Sequence, residues 1–99
     1  MISVKISIVN GKELINKLIG ELSTSAIRVV KEWPNGDYVI FYTNGVIELH
    51  IGRDTNVVEL TIYSDTFKSL TNHVNYIVDI IERNGFKTED YVSISIRNT

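Results

Sequence analysis

The hydrophobic period of the chain switches twice from two to about 3.6, and each switch dictates a strand that runs into a helix. Along Ile2–Val9, the residues Ile2, Val4, Ile6 and Ile8 alternate with Ser3, Lys5 and Ser7, the pattern of a strand with one buried face. Asn10 then stands where a helix cap is needed, with Glu13 in the capping-box position, and Leu14, Ile15, Leu18, Ile19 and Leu22 form one stripe. The second switch follows Val58, Leu60 and Ile62. Asp65 is placed to cap a helix in which Phe67, Leu70, Val74, Ile77, Val78 and Ile81 share a face, and Asn84 with Gly85 supplies the stop.

Between the two helical patterns, residues 26–63 read as a meander of strands divided by turn chemistry at Pro34 to Asp37, at Asn44 with Gly45, and at Gly52 to Asn56. Asn-Gly pairs supply the positive φ angles that tight hairpins demand. A last alternating run, Tyr91 to Arg97, predicts a closing strand with Val92, Ile94 and Ile96 turned inward. The expected fold is therefore α+β: residues 1–99 form one domain with a single antiparallel sheet of five to six strands and two helices on one face, in the order β-α-β-β-β-β-α-β.

One strand departs from simple alternation. In the run from Asp37 to Thr43, Val39 and Phe41 lie on one side and Tyr38, Ile40 and Tyr42 on the other, so both faces are apolar and both require cover. Two helices cannot cover both. In the second helix, His73, Tyr76 and Ile80 make a further stripe beside the core-facing one, and with Asn75 they are the expected partner-facing residues. The cover expected is either a sheet curled on itself or a partner chain: a second copy, a paralogue as a heterodimer, or a larger protein.

Composition narrows the classes of function. A formal charge of −2 on 99 residues argues against a strongly basic nucleic-acid binder, though it permits a local basic patch. The chain has no cysteine, which removes disulfides, thiolate metal sites and a cysteine nucleophile, and suits a cytoplasmic protein. No apolar run is long enough for a membrane span. Its six glycines stand singly, so no phosphate-binding glycine loop is present, and no cofactor is expected.

The chemistry-bearing residues are few. Glu48, His50 and Glu59 fall on one strand face, and a short loop at 53–56 puts His50 opposite Glu59, so this face is a possible ligand site. As an ordinary solvated strand face the three need no ligand, and no further histidine completes a metal set. Ser64 and Ser69 suit the start of a helix better than a catalytic role. Tyr38, Tyr42, Tyr63 and Tyr91 fall in strands, where aromatics pack, form interfaces or stack on RNA bases. A non-catalytic protein is the expectation.

The run from Leu60 to Gly85 resembles the small dimerisation subunit of the KEOPS complex, the Pcc family, including its divergent paralogues. The shared features are a strand ending in Ser64 and Asp65, then Leu70, Asn75 and an apolar helix ending at Gly85; the opening strand and helix of residues 2–22 also agree in order and length. Thr71 stands where the family usually has Arg, the meander is about one hairpin longer, and the last strand is an addition. The resemblance implies a non-catalytic subunit that dimerises and docks on the catalytic subunit of the threonylcarbamoyl-adenosine tRNA modification machinery.

Overall fold

The alternation of Ile2–Val9 is realised as strand β1, in which Val4, Ile6 and Ile8 are buried and Lys5 is exposed. A computed structural model describes residues 1–32, 37–52 and 56–98. After β1 come a 3-10 turn (Gly11–Leu14), helix α1 (Ile15–Ser23), strands β2 (Arg28–Glu32), β3 (Asp37–Tyr42), β4 (Gly45–Ile51) and β5 (Val57–Ser64), helix α2 (Phe67–Arg83), a second 3-10 turn (Thr88–Asp90) and strand β6 (Tyr91–Asn98). The element order is the one expected from the sequence, with six strands in one sheet of order β2-β3-β4-β5-β1-β6. Every neighbouring pair is antiparallel.

Without β2 and β3, the remaining elements run β-α-β-β-α-β with spatial order β4-β5-β1-β6, the split βαβ arrangement. The β2-β3 hairpin extends that unit at the β4 side. Both helices lie on the face that carries Ile40, Ile47, Leu49, Leu60, Ile62, Val4 and Ile6, and they close one core with Leu14, Leu18, Leu22, Leu70, Ile77, Ile80 and Ile81. Each such side chain, fully removed from water, contributes about 1.5–3 kcal/mol.

Three local expectations are corrected. Asn10 does not cap α1: it sits at φ 57° in the left-handed region, and its Oδ1 accepts from Asn56 Nδ2 at 3.2 Å. The acceptor at the start of the 3-10 turn comes instead from Asn56, whose Oδ1 receives the Lys12 N–H at 3.3 Å and whose carbonyl receives that of Gly11. Helix α2 is capped by Thr66, one residue after Asp65, with Thr66 Oγ1 accepting from the Ser69 N–H at 3.2 Å.

The β3-β4 turn is the third. Tyr42 pairs with Gly45, so Thr43 and Asn44 form the loop, and the positive φ expected of Asn44 and Gly45 is absent. Gly45 is required for room: a Cβ there would lie 2.5 Å from the Tyr63 carbonyl oxygen and 3.4 Å from the His73 ring. Of the other two expected turns, only Asp37 in the first and Gly52 and Asn56 in the second are among the described residues. Gly85 does take a left-handed angle, φ 91°, and ends α2 as expected.

Candidate functional site

Of the four residues expected to face a partner from α2, two are spent inside the molecule. Ile80 is 0% exposed and belongs to the core, which corrects its placement on an outer stripe. His73 is half-buried, its ring 5.3 Å from that of Tyr42 and against Gly45, and burial lowers its pKa. Asn75 is exposed, and Tyr76 is 42% exposed with its hydroxyl donating to the Glu21 carbonyl at 3.4 Å. Arg83 ties the same flank to α1, bonding Glu21 at 3.1 Å and Asp79 at 3.1 Å; these carboxylates, Glu21 first, raise its pKa. The α1 side of α2 is therefore largely satisfied.

The opposite flank is not. Phe67, expected beneath the helix, is 59% exposed, and Val74 is only partly buried. Ile94 and Ile96 pair in register with Ile6 and Val4, so they lie on the helix side of the sheet, yet they are 56% and 65% exposed. The cause is placement: α2 rests chiefly on β5 and β1 and leaves Ile94 and Ile96 of β6 more than half exposed. A groove of about 110 Å³ results, lined by Val4, Phe67, Leu70, Thr71, Val74, Ile94 and Ile96. The inward assignment is corrected accordingly: Ile94 and Ile96 face the helix side without being buried, and Val92 is 57% exposed.

Strand β6 also ends the sheet, so among the described residues its outer row of N–H and C=O groups has no strand partner. Natural edges are usually protected by charge, proline or brevity. At the other edge, five-residue β2 carries the exposed Arg28 and Lys31. Strand β6 has eight residues, no proline, and Arg97 as its sole charge. Strand period alone could not reveal this, because it reports which face a side chain joins and not whether a helix reaches over it.

The sheet face away from the helices is open. The registers place Glu48, His50 and Glu59 there, with His50 opposite Glu59 as expected. Each has a different partner, however. His50 Nδ1 lies 2.9 Å from Asp37 Oδ2, Glu59 Oε2 lies 3.2 Å from Lys5 Nζ, and Glu48 stands beside Tyr63. Burial, then Glu48, raises the Tyr63 pKa. Asp37 Oδ1 is buried with no hydrogen bond among the described residues. Among the described residues, no three histidine or carboxylate groups are placed to hold a metal ion.

The chain matches no protein-family profile and no curated protein. Among the described residues, no helix is long and apolar enough to cross a membrane.

Proposed function

We propose that the chain is a non-catalytic assembly subunit that pairs with a second copy of itself through β6 and the outer flank of α2. The observation that carries this reading is the coincidence of an apolar groove with an unpaired, almost uncharged sheet edge. Each feature alone has a bland explanation. Together they offer both components of a strand-and-helix interface.

The occupant follows from self-complementarity. Two copies of β6 laid antiparallel about a two-fold axis at Ser95 set Ile94 opposite the second copy's Ile96 and Ser93 opposite its Arg97, so no like charges meet. Ile94 and Ile96 then continue the apolar side of the sheet across the axis, beneath Phe67 and Val74 of each α2. A standard interface takes about 800 Å² per partner, about an eighth of the 6108 Å² that the chain exposes. At eight residues β6 runs about 27 Å, and at 17 residues α2 runs about 26 Å. A strip of that length and two elements wide is of the required order.

In the setting that the KEOPS resemblance implies, such a pair docks on a larger catalytic subunit of tRNA modification, and the exposed Asn75 and Tyr76 remain open for that second contact. Light scattering coupled to size exclusion tests the pairing. The purified chain is expected at twice its 11.2 kDa mass, and Ile94→Lys with Ile96→Lys at the monomer mass. A wild-type chain that stays monomeric across the concentration series overturns the reading.

A further inference from the structure

A second surface lies on the open face of the sheet, on the side opposite α2. The registers align Tyr63, Ser3 and Arg97 in one row across β5, β1 and β6, and Thr61, Lys5 and Ser95 in the next. These six side chains line a shallow depression of about 330 Å³, and none of the six is acidic. Two cations and four hydroxyls thus converge on one place in a chain whose net charge is −2.

The groups are suited to an anion. Arg97 has no ion pair among the described residues, and its guanidinium presents a planar fork to phosphate. Lys5 is paired with Glu59 at 3.2 Å, but both side chains are well exposed, at 49% and 36%, and such surface pairs are weak. Lys5 can therefore exchange Glu59 for a phosphate. The Ser3, Thr61 and Ser95 hydroxyls can donate from the adjacent positions.

The same row adds aromatic surface. It continues from Tyr63 through Val46 to Phe41 and then Arg28, so two aromatic rings stand two strands, or about 10 Å, apart between terminal arginines. Phe41 is exposed, and Tyr63 lines both depressions of this face. Sheet-borne aromatics beside cations take single-stranded nucleic acid, the cations holding phosphates and the rings stacking bases. Of the acidic groups on this face, Asp37 and Glu59 lie toward the other end of the strands, while Glu48 stands in the Thr61 row beside Tyr63 and borders the track, which therefore follows the row of Arg97, Tyr63, Phe41 and Arg28.

We infer that this face binds single-stranded nucleic acid, with phosphates on Lys5 and Arg97 and bases against Tyr63 and Phe41. The inference does not rest on the dimer, whose contacts lie on the helix side and along the β6 edge.

The test is fluorescence anisotropy with labelled oligouridine and oligodeoxythymidine of about twelve nucleotides. Two phosphate contacts give a log–log salt slope of about −1.4, a loss of about sevenfold between about 50 and about 200 mM salt. Lys5→Gln and Arg97→Gln should each reduce that slope by about 0.7. Tyr63→Leu should weaken binding by about five- to a hundredfold with the slope kept. Binding of both probes assigns the shared phosphate-and-base chemistry, and binding of oligouridine alone assigns RNA. Two outcomes overturn the inference: binding that ignores salt and these substitutions, or inorganic phosphate bound at Lys5 and Arg97 by amide-shift mapping while neither oligonucleotide binds. The same titration on Ile94→Lys with Ile96→Lys separates this site from the pairing surface, because binding per chain should persist in the monomer.

Discussion

The His73 ring packs on that of Tyr42 with centroids 5.3 Å apart and planes tilted by 45°. The pair fastens α2 to the end of β3, beside the point where Gly45 admits the ring. Burial holds the His73 pKa below 6.5, so the unfolded chain takes up a proton more readily than the folded one. Stability should therefore fall as pH drops below 6.5, until the folded-state pKa is passed. His73→Phe keeps a ring against Tyr42 but removes the titration. Melting curves from about pH 7 to about pH 5 should show a shallower decline for the variant; parallel declines would remove His73 as a cause.

Tyr42 works at both ends of its side chain. Its hydroxyl donates to the Leu22 carbonyl in the last turn of α1, and burial first, then Tyr76, pushes its pKa up to about 12 from 10.0. Tyr42→Phe should cost about 1 kcal/mol in urea denaturation near neutral pH through the lost hydrogen bond. The folded state resists ionisation, so stability is lost as pH rises from 10 through about 12. The variant should lack that alkaline component, and an unchanged alkaline limb would contradict the assignment.

Gly45 and Gly85 separate two reasons for glycine. At Gly45 a Cβ meets the Tyr63 carbonyl at 2.5 Å, and backbone cannot yield as a side-chain tip can. At Gly85 a Cβ meets nothing within 4 Å, but φ is 91°. Gly85→Ala should cost about 1 kcal/mol from the angle alone, whereas Gly45→Ala should cost about 1–3 kcal/mol from forced displacement of packed strands. Paired chemical denaturation of the two variants checks the order, and Gly85→Ala as the more damaging change would reverse the argument.

The fold is legible because local periods agree with the final layers: strands β1, β4 and β5 and helix α1 bury the faces their patterns dictate. What was not legible depends on contacts between distant segments. Asn56 lies 44 residues from Lys12, and no local pattern assigns it the role expected of Asn10. The rotation of α2 is likewise set by distant contacts. Its apolar arc includes Phe67, Leu70, Val74, Ile77 and Ile80, and only the positions of α1 and β6 decide which margin is covered. Glu48, His50 and Glu59 were correctly placed on one face, but their separate pairing with Tyr63, Asp37 and Lys5 depends on lateral neighbours that the strand order supplies. Arg97 and Lys5 become neighbours of Ser3 and Ser95 only once β6 is known to lie beside β1.

The two margins of α2 give a direct comparison. Ile80→Ala removes a fully buried side chain and should cost about 2–5 kcal/mol of monomer stability. Phe67→Ala truncates a side chain that is 59% exposed, so in dilute solution it should change stability by about 0.5 kcal/mol or less. Denaturation at low protein concentration reads both. If Phe67→Ala matched Ile80→Ala there, the outer flank would belong to the core and the groove would not be a free surface.

Pairing through that flank makes stability depend on concentration. A folded chain that associates only when folded gains stability by mass action, so the melting temperature should rise with protein concentration above the dissociation constant. Ile94→Thr with Ile96→Thr preserves β-branched strand residues while making the exposed edge more polar, at positions already 56% and 65% open to solvent. In the monomer the double change should therefore cost little, about 1 kcal/mol or less. The wild-type chain should melt at progressively higher temperature over a hundredfold concentration range, with a gain of about 2.7 kcal/mol when the free chain reaches about 100 times its dissociation constant. The variant should melt at one temperature throughout. A wild-type melting temperature that is equally flat would mean that Ile94 and Ile96 remain exposed in the working molecule, and the β6 edge would then have no self-pairing role.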